Sequence, residues 1–452
     1  MDIKKNIEMF NNLIVEGRKL FYKNDIASYK DAIKKCSFIM AQIMDAGNTQ
    51  LALNMEIHWY NNLVKLLENE DNFYYAFEGH FKSFWDAGKK KSNQIVLTSD
   101  TNINNVVFVV PNPVLLGHTT VMITIITIWK KRHPNLNLYV AGFGKFQSIF
   151  SEILQNLGVK IIESGTIKSF ENAIFNLKKI IQIEKIHTLI WVSAPCLASY
   201  FFGNKLSQRQ VMWSLKFHPT HFEDGIINIA STKYTNKVFT SINNKKWYSF
   251  TPPIAVSKAQ IDDFEFNKIK SAFKGKLIFG TLARTEKFNS PAFLEIVIQI
   301  LKDCSDSVFL FTGMTPNERL VEIALKNNLH HRIKFVGWVD TNLYSAAIDI
   351  FLESFPFGCG ITSMQALAQG TRVISMWAED TIPRWYFANL NEGKRFSPSW
   401  IIVKSRDEYL QAALTLYRQY KIFKNLEKNF YSYNHLNDDE KAELFFNLVL
   451  KH

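Results

Sequence analysis

The chain has 452 residues, of which 47% are hydrophobic and 21% charged, and its formal net charge is +12. This composition is typical of a globular protein with two or three domains and excludes a disordered chain. The four cysteines, Cys36, Cys196, Cys304 and Cys359, are far apart and form no CxxC pair, which argues against a zinc site and a disulfide framework.

No stretch of the sequence has the pattern of a membrane span. The most apolar stretches, 106–129 and 188–202, are interrupted by Asn, Pro, His or Ser, whereas a span needs about 18 consecutive apolar residues. The first residues also lack an apolar core followed by a cleavage site. We therefore expect a cytoplasmic protein without a membrane span, and peripheral contact with a membrane surface stays open.

The positive net charge favours anionic partners, which include nucleotide sugars, acidic surfaces and nucleic acid. Local basic clusters occur at Lys89–Lys91 and at Lys245–Trp247. Both fall where domain edges are expected, so we interpret them as solvated linkers. No nucleic-acid partner is predicted.

Residues 1–95 show helical periodicity and no strand signal, which predicts an all-α N-terminal domain. Apolar residues recur at helical spacing in two runs. The first is Ile7, Phe10, Leu13, Ile14, Leu20 and Phe21, and the second is Ile57, Tyr60, Leu63, Leu66 and Leu67.

Residues 96–255 alternate between strand and helix patterns, which predicts a first Rossmann-like domain. Thr251-Pro252-Pro253 is interpreted as the linker that follows it. Strands are predicted at Val106–Val110, Leu138–Ala141, Val159–Ile162, Thr188–Val192 and Val211–Leu215, and helices at Thr120–Trp129 and Gln147–Leu157.

Residues 256–425 repeat this alternation and predict a second Rossmann-like domain. Residues 426–452 form the C-terminal part, in which Asp438–Leu450 is an amphipathic helix that could cross back to the first domain. Strands of the second domain are predicted at Leu277–Thr281, Val308–Phe311, Ile333–Val336, Ile350–Glu353 and Val373–Ser375.

The segment Asp349–Ile374 reads as a buried strand, a glycine-containing loop, a short helix and a second strand. Gly358 and Gly360 allow a ligand to approach the backbone closely. A capping box at Thr362 and Gln365 would place the first amides of the helix in this loop, where they attract anions. The segment is typical of a diphosphate site, and equally of a strand–helix connection that binds nothing.

A second segment favours the diphosphate interpretation. Arg284 and Lys287 follow the predicted strand Leu277–Thr281, and Ser290-Pro291 then begins a helix, with serine as its cap. Two cations just beyond one strand, in the same α/β domain as the glycine loop, suit a nucleotide diphosphate held between them.

Four segments of the chain resemble GT-B glycosyltransferases, and more narrowly glycosyltransferase family 41. That family includes O-GlcNAc transferases and bacterial cytoplasmic N-glycosyltransferases. The segments are Ala283–Leu294, Asp349–Gly358, His118–Met122 together with Ala141–Gly144, and Arg209–Val211 together with Phe217–Pro219.

The resemblance implies an α/β protein of the GT-B class, with two Rossmann-like domains that face a cleft, preceded by a small all-α domain. The first Rossmann-like domain would bind the acceptor and the second the nucleotide sugar. The donor would be a nucleotide-diphosphate sugar, a UDP-hexose, and the acceptor a protein or a glycan. No other cofactor and no metal are expected, because no Asp-x-Asp follows a strand.

The resemblance also carries the candidate site residues. His118, His218 and Lys287 are the catalytic candidates, and either histidine could instead be structural. The residues expected to bind the donor are Arg284, Lys287, Val336, Trp338, Gly358, Gly360, Ile361, Thr362, Ser363 and Gln365.

The chain departs from the family at two of these places. Gln365 stands where the O-GlcNAc members carry an aspartate and where many retaining GT-B enzymes carry a glutamate. Gly360-Ile361-Thr362 stands in place of their His-Thr-Thr. There are no tetratricopeptide repeats.

The leading hypothesis is an enzyme, a metal-independent and inverting transferase that moves a hexose from the nucleotide sugar to a protein side chain. One alternative is a GT-B transferase that extends a glycan, a lipid-linked saccharide or a capsule. The other is a noncatalytic subunit that binds nucleotides or glycans.

Overall fold

The structure is a computed structural model in which contacts divide the chain into two compact units. The first unit holds the described residues up to 253 together with the C-terminal helix, and the second holds those from 256 to 423. The structure describes residues 2–23, 25–64, 76–92, 101–214, 225–231, 238–240, 246–253, 256, 258–288, 290–355, 358–376, 399–423 and 438–451.

The N-terminal region is helical, as the periodicity predicts. Asp2 and Asp25 cap the first two helices, because each side chain accepts a hydrogen bond from a backbone N–H of the first turn. None of the described helices is both long and apolar enough to span a membrane. The helices are α1 (Ile3–Tyr22), α2 (Ile26–Asp45), α3 (Thr49–Asn62) and α4 (Phe81–Ser92).

The first unit contains an eight-stranded sheet with the strand order β3-β2-β1-β4-β5-β6-β8-β7. Only β7 runs antiparallel to its neighbour among the described pairs. The strands are β1 (Asn102–Val110), β2 (Asn137–Gly142), β3 (Lys160–Glu163), β4 (Ile186–Val192), β5 (Arg209–Ser214), β6 (Ile226–Ser231), β7 (Val238–Thr240) and β8 (Lys246–Phe250). The helices are α5 (Gly117–Arg132), α6 (Ser148–Asn156), α7 (Phe170–Ile183) and α8 (Ala198–Gly203).

The five strands predicted for this region are present as β1–β5, whereas β6–β8 were not predicted. The strand β6 carries Asn228 and Ser231 among its apolar residues, and β7 has only three residues. Such short, mixed strands give no periodic signal, and their pairing with a larger sheet is what stabilises them.

One hydrophobic core joins the N-terminal helices to this sheet. It contains Phe10, Trp59 and Phe84 from the helices together with Trp191 and Trp247 from the strands. Because the apolar faces of the helices are buried in this shared core, the helical residues belong to the same compact unit as the sheet.

The last helix, α15 (Asp438–Leu450), packs against the first unit although it follows the second in the chain. The indole N–H of Trp129 donates to the carbonyl oxygen of Ala442 at 2.9 Å. The ring of Phe445 lies 4.6 Å from that of Trp213 and 4.7 Å from that of Phe250, measured between centroids. Helix α15 therefore completes an aromatic cluster of the first unit.

The second unit contains a six-stranded parallel sheet with the order β11-β10-β9-β12-β13-β14. Its strands are β9 (Leu277–Thr281), β10 (Ser307–Phe311), β11 (Ile333–Phe335), β12 (Ile350–Leu352), β13 (Arg372–Met376) and β14 (Trp400–Val403). Its helices are α9 (Asp263–Ala272), α10 (Pro291–Asp303), α11 (Glu318–Lys326), α12 (Thr341–Ala347), α13 (Gly360–Ala368) and α14 (Arg406–Phe423).

All five strands predicted for this unit are present, and β14 is an addition. The start of α10 is also confirmed, because Ser290 accepts a hydrogen bond from the amide of Phe293 and Pro291 is the first helical residue. Both signals are local in the sequence, so they could be interpreted without tertiary information.

We expect Phe445→Ala to lower the free energy of unfolding of the first unit by about 3–5 kcal/mol, since it empties a fully buried aromatic site. Chemical denaturation followed by tryptophan fluorescence would measure this change. Glu440→Ala, at an exposed position of the same helix, is the control and should change it by less than about 0.5 kcal/mol. Equal effects of the two substitutions would contradict the packing of α15.

Candidate functional site

The candidate site lies at the carboxyl edge of the sheet in the second unit. Strands β9 and β12 are neighbours in the centre of this sheet, and the strand order reverses between them. Parallel sheets of this kind bind ligands outside the carboxyl ends of the strands at such a reversal. In the two segments singled out in the sequence, Arg284 and Lys287 lie beyond the end of β9, and Gly358 lies between β12 and α13.

Hydrogen bonds join these two loops directly. The Lys287 ammonium donates to the carbonyl oxygen of Gly358 at 2.6 Å. The Thr362 hydroxyl donates to the carbonyl oxygen of Leu282 at 2.8 Å. Below them, the Thr281 hydroxyl donates to a backbone carbonyl of β12, that of Leu352, at 2.6 Å. The structure thus brings the predicted cation and the predicted glycine loop into contact.

The predicted capping box of α13 is wrong. The helix begins at Gly360, its N-cap is Cys359, and no side chain caps it. The Thr362 hydroxyl donates instead to the carbonyl oxygens of Leu282 and Cys359, both at 2.8 Å. A hydrogen bond across the strand reversal therefore replaces the local one that the pattern predicted.

The beginning of α13 still presents backbone amides to the loop. Gly360, Ile361 and Thr362 form its first turn, whose N–H groups have no partners within an α-helix. The Ser363 side chain is buried, with its Oγ 3.9 Å from the Cys359 Sγ, and Gln365 is half-buried one turn further on. Three of the predicted donor residues thus supply amides at the loop, while Ser363 faces the interior.

The loops after β9, β10 and β11 are also tied together. The Thr285 hydroxyl donates to the carbonyl oxygen of Thr315 at 2.8 Å. The Gly313 amide donates to the carbonyl oxygen of Gly337 at 3.3 Å. A Cβ on Gly313 would lie 2.3 Å from the Thr285 Oγ1, so only glycine fits this crossing. Neither Thr285 nor Gly313 was predicted as a site residue, although the Thr312-Gly313 pair at the end of β10 is a usable turn signal.

Three other predicted donor residues lie on this same edge. Arg284 is half-buried in the loop after β9, three residues before Lys287. The Val336 amide donates to the carbonyl oxygen of Phe311 at 3.0 Å, which fixes the turn after β11. Trp338 follows in that turn and is 52% exposed.

A buried acid that was not predicted also lies at this edge. Glu353 directly follows β12 and is only 1% exposed, and neither carboxyl oxygen is hydrogen-bonded within the part of the chain that the structure describes. Burial raises the pKa of the Cys359 thiol, Glu353 raises this pKa further, and Lys287 lowers it. These three groups therefore influence one another electrostatically beside the start of α13.

Asp349 lies at the opposite edge of the sheet. It accepts hydrogen bonds from the Lys270 ammonium and from the Ile278 amide, both at 2.8 Å. It ties the amino ends of β9 and β12 together, so its role is structural.

Of the two candidate catalytic histidines, the structure describes His118. His118 is the second residue of α5, in the first turn after the loop that follows β1, and it is half-buried. It therefore lies at the carboxyl edge of the sheet in the first unit. His218 lies outside the described residues. The described residues contain no group of three or more His, Cys, Asp or Glu side chains placed to hold a metal ion.

Comparisons with known proteins agree with this architecture. The sequence matches no protein-family model, and it matches no curated protein. An O-GlcNAc transferase mutant from Thermobaculum terrenum is similar in structure, with a TM-score of 0.51 and 11% identity, over 99% of this chain and 97% of that one. Anabaena HepE in complex with UDP and glucose has a TM-score of 0.52 and 12% identity over 76% of this chain and 95% of that one.

At these identities the likeness concerns the fold. The chain has the GT-B fold. Each unit supplies one of its two largely parallel sheets, as the sequence predicted. The likeness to the Thermobaculum protein also includes the N-terminal helices, since it extends over nearly the whole chain.

We expect Gly313→Ala to destabilise the second unit more than Gly275→Ala does. Both glycines have positive φ, 153° and 79°, but an added Cβ meets Thr285 at Gly313 and nothing within 4 Å at Gly275. The difference in the free energy of unfolding should be about 1–3 kcal/mol, the cost of overpacking. Equal losses, measured by chemical denaturation, would show that the loops are not crossed at Gly313.

Proposed function

We propose that the protein is a glycosyltransferase that moves a hexose from UDP-hexose to a protein side chain, without a metal and with inversion. One observation carries the proposal. Lys287 bridges the two loops at the strand reversal, beside the first-turn backbone amides of α13. This combination of an ammonium and a helix N-terminus suits the diphosphate of a nucleotide sugar.

Glycosyl transfer requires stabilisation of the negative charge that develops on the departing nucleotide diphosphate. Groups that are already in place do this most effectively, and one such contact is typically worth about 3 kcal/mol of the barrier. In this chain Lys287, Arg284 and the amides of Gly360–Thr362 would supply the positive potential. These protein groups would take the role that a divalent cation has in other transferases.

The comparisons support the donor class. The neighbour that extends over nearly the whole chain is named an O-GlcNAc transferase, and HepE was solved with UDP and with UDP-glucose. The turn that contains Val336 and Trp338 would then bind the nucleotide base, since it lies on the same edge as Lys287.

Inversion and the protein acceptor rest on the sequence. Gln365 stands where many retaining GT-B enzymes carry a glutamate, which favours a single displacement and hence inversion. The resemblance to family 41 supports a protein side chain as the acceptor. His118, at the ligand edge of the first unit, would handle the acceptor proton, and His218 is the second candidate for that role.

We expect UDP to raise the melting temperature of the protein in the presence of EDTA. A ligand at 100 times its dissociation constant adds about 2.7 kcal/mol to the free energy of unfolding. Differential scanning fluorimetry with UDP, GDP, CDP and TDP would measure the shift and identify the base. No shift with any of the four at millimolar concentration would overturn the diphosphate site, and a shift that appears only after metal is added would overturn metal independence.

We expect Lys287→Ala to lower the turnover number about 100-fold or more, because it removes one preorganised cation from the leaving group. The measurement is transfer from UDP-hexose to a peptide, detected by mass spectrometry. Lys276→Ala is the matched control, since Lys276 is an exposed residue at the amino end of β9, and it should leave the rate unchanged.

His118→Ala separates the two substrates in the same assay. It should lower transfer and leave the UDP-induced melting shift intact, because His118 lies at the carboxyl edge of the sheet in the first unit. Loss of UDP binding in this variant would place His118 at the donor. UDP binding without transfer to any peptide or glycan would favour a noncatalytic subunit.

A further inference from the structure

The sheet of the first unit has a strand reversal of its own, between β1 and β4. The loops after these strands, 111–116 and 193–197, therefore border a second crevice of the kind in which α/β sheets bind ligands. The first of these loops leads into α5 and His118. The second ends at Leu197, which is the N-cap of α8.

Leu197 has a left-handed backbone conformation, with φ of 66°. This conformation is costly for a leucine and persists only where the surrounding structure enforces it. Leu197 is also 1% exposed, so its amide needs a partner inside the protein. Strain and burial together show that loop 193–197 is held in shape by its surroundings.

The partner of this amide comes from the N-terminal helices. The Leu197 N–H donates to the Glu56 Oε1 at 3.1 Å, across 141 residues of sequence. Glu56 lies on α3 and is completely buried. Burying a carboxyl group costs free energy unless it is hydrogen-bonded. The Glu56 carboxyl group has its hydrogen bonds with the strained loop and with one histidine.

The histidine is His80, which holds Glu56 in place. The His80 Nε2 lies 3.3 Å from the Glu56 Oε1, and the His80 Nδ1 lies 2.6 Å from the Ser37 Oγ. The rings of Trp59 and Phe84 pack edge-on against the imidazole, with centroids 5.1 and 4.8 Å away.

The arrangement resembles the catalytic triad of a serine hydrolase, with Ser37, His80 and Glu56 in a row. Their burial excludes a hydrolytic reaction at this place. All three are at most 1% exposed, so no substrate can reach the Ser37 hydroxyl. The row ends at the Leu197 amide, and Glu56 is the member that contacts the loop.

Helix α8 is held by a different contact. A Cβ on Gly203 would lie 2.4 Å from the Trp85 carbonyl oxygen, and a Cβ on Gly88 would lie 2.4 Å from the Tyr200 carbonyl oxygen. Helices α4 and α8 thus touch backbone to backbone, independently of Glu56. Loss of the Glu56 carboxyl group should consequently release the loop and leave α8 in place.

We infer that Glu56 is a positioning residue, which holds loop 193–197 in its strained shape at the crevice of the first unit so that the acceptor can bind there. The role in acceptor binding rests on the proposed function, because a donor site in the second unit leaves this crevice for the acceptor. The role in holding the loop rests on the hydrogen bond to Leu197 alone.

The chain carries its own reporter for this inference. Cys196 is half-buried in the loop, next to Leu197, whereas Cys36, Cys304 and Cys359 are buried elsewhere. Burial raises the pKa of the Cys36 and Cys304 thiols to about 12, so these thiols react slowly with alkylating reagents. Alkylation by iodoacetamide can be followed at each cysteine with mass spectrometry. The rate at Cys196 measures the opening of the loop, and the rates at the other three cysteines measure the opening of the rest of the fold.

We expect Glu56→Ala to accelerate the alkylation of Cys196 at least about tenfold. The loop opens more often when it has lost its hydrogen bond to the carboxyl group, and a change of about tenfold corresponds to the usual strength of such a bond. The rates at Cys36, Cys304 and Cys359 should not change. Glu56→Gln keeps an oxygen for the Leu197 N–H and should stay near the native rate. Ser37→Ala removes the other partner of His80 but leaves the Glu56–Leu197 hydrogen bond in place, so as the matched control it should also stay near the native rate.

Two results would overturn the positioning role. One is a Cys196 rate in Glu56→Ala within about twofold of native, and the other is an equal acceleration at all four cysteines, which would show a general structural role. For the acceptor, Glu56→Ala should raise the acceptor KM about tenfold while the donor KM and the UDP melting shift stay unchanged. An unchanged acceptor KM would overturn that part, whereas a native chain that binds no UDP would overturn the proposed function itself.

Discussion

The candidate donor site depends on one constraint, the reversal of strand order between β9 and β12. The reversal leaves the carboxyl ends of two central strands adjacent, with their following loops on either side of a crevice. The hydrogen bonds from Lys287 to Gly358 and from Thr362 to Leu282 join these loops. The cation is therefore fixed in place before any ligand arrives, and fixed charges stabilise a developing anion without the cost of reorganising at the moment of reaction.

Both sheets contain such a reversal of strand order, but their loops are stabilised differently. In the second unit the loops are tied to one another, through Thr285 and Gly313 as well as Lys287. In the first unit the loop after β4 is held from outside the sheet by Glu56. An α/β sheet can thus use an added helical region to hold the loop that follows one of its central strands.

Features that depend on residues close together in the sequence could be predicted, whereas most features that depend on distant residues could not. The Ser290 cap and the buried strand β9 are local patterns, and both were predicted correctly. The meeting of Lys287 with the glycine loop was also accessible, because the carboxyl ends of parallel strands share one edge of a sheet. The true partner of Thr362, the burial of Glu353 and the bond from Glu56 to Leu197 were not. Each of these depends on contacts between distant segments, which no local pattern contains.

The position of α15 has a consequence for how the chain folds. The indole of Trp129 donates to a carbonyl 313 residues further along the chain, so the aromatic cluster around Phe445 closes only when the last helix has been synthesised. Contacts of such long sequence separation slow folding and prolong the exposure of apolar surface. During synthesis Trp213 and Phe250 therefore lack their contact with Phe445 until the second unit has been translated. The chain should depend on chaperones for that interval more than a protein of the same size with two sequentially complete domains.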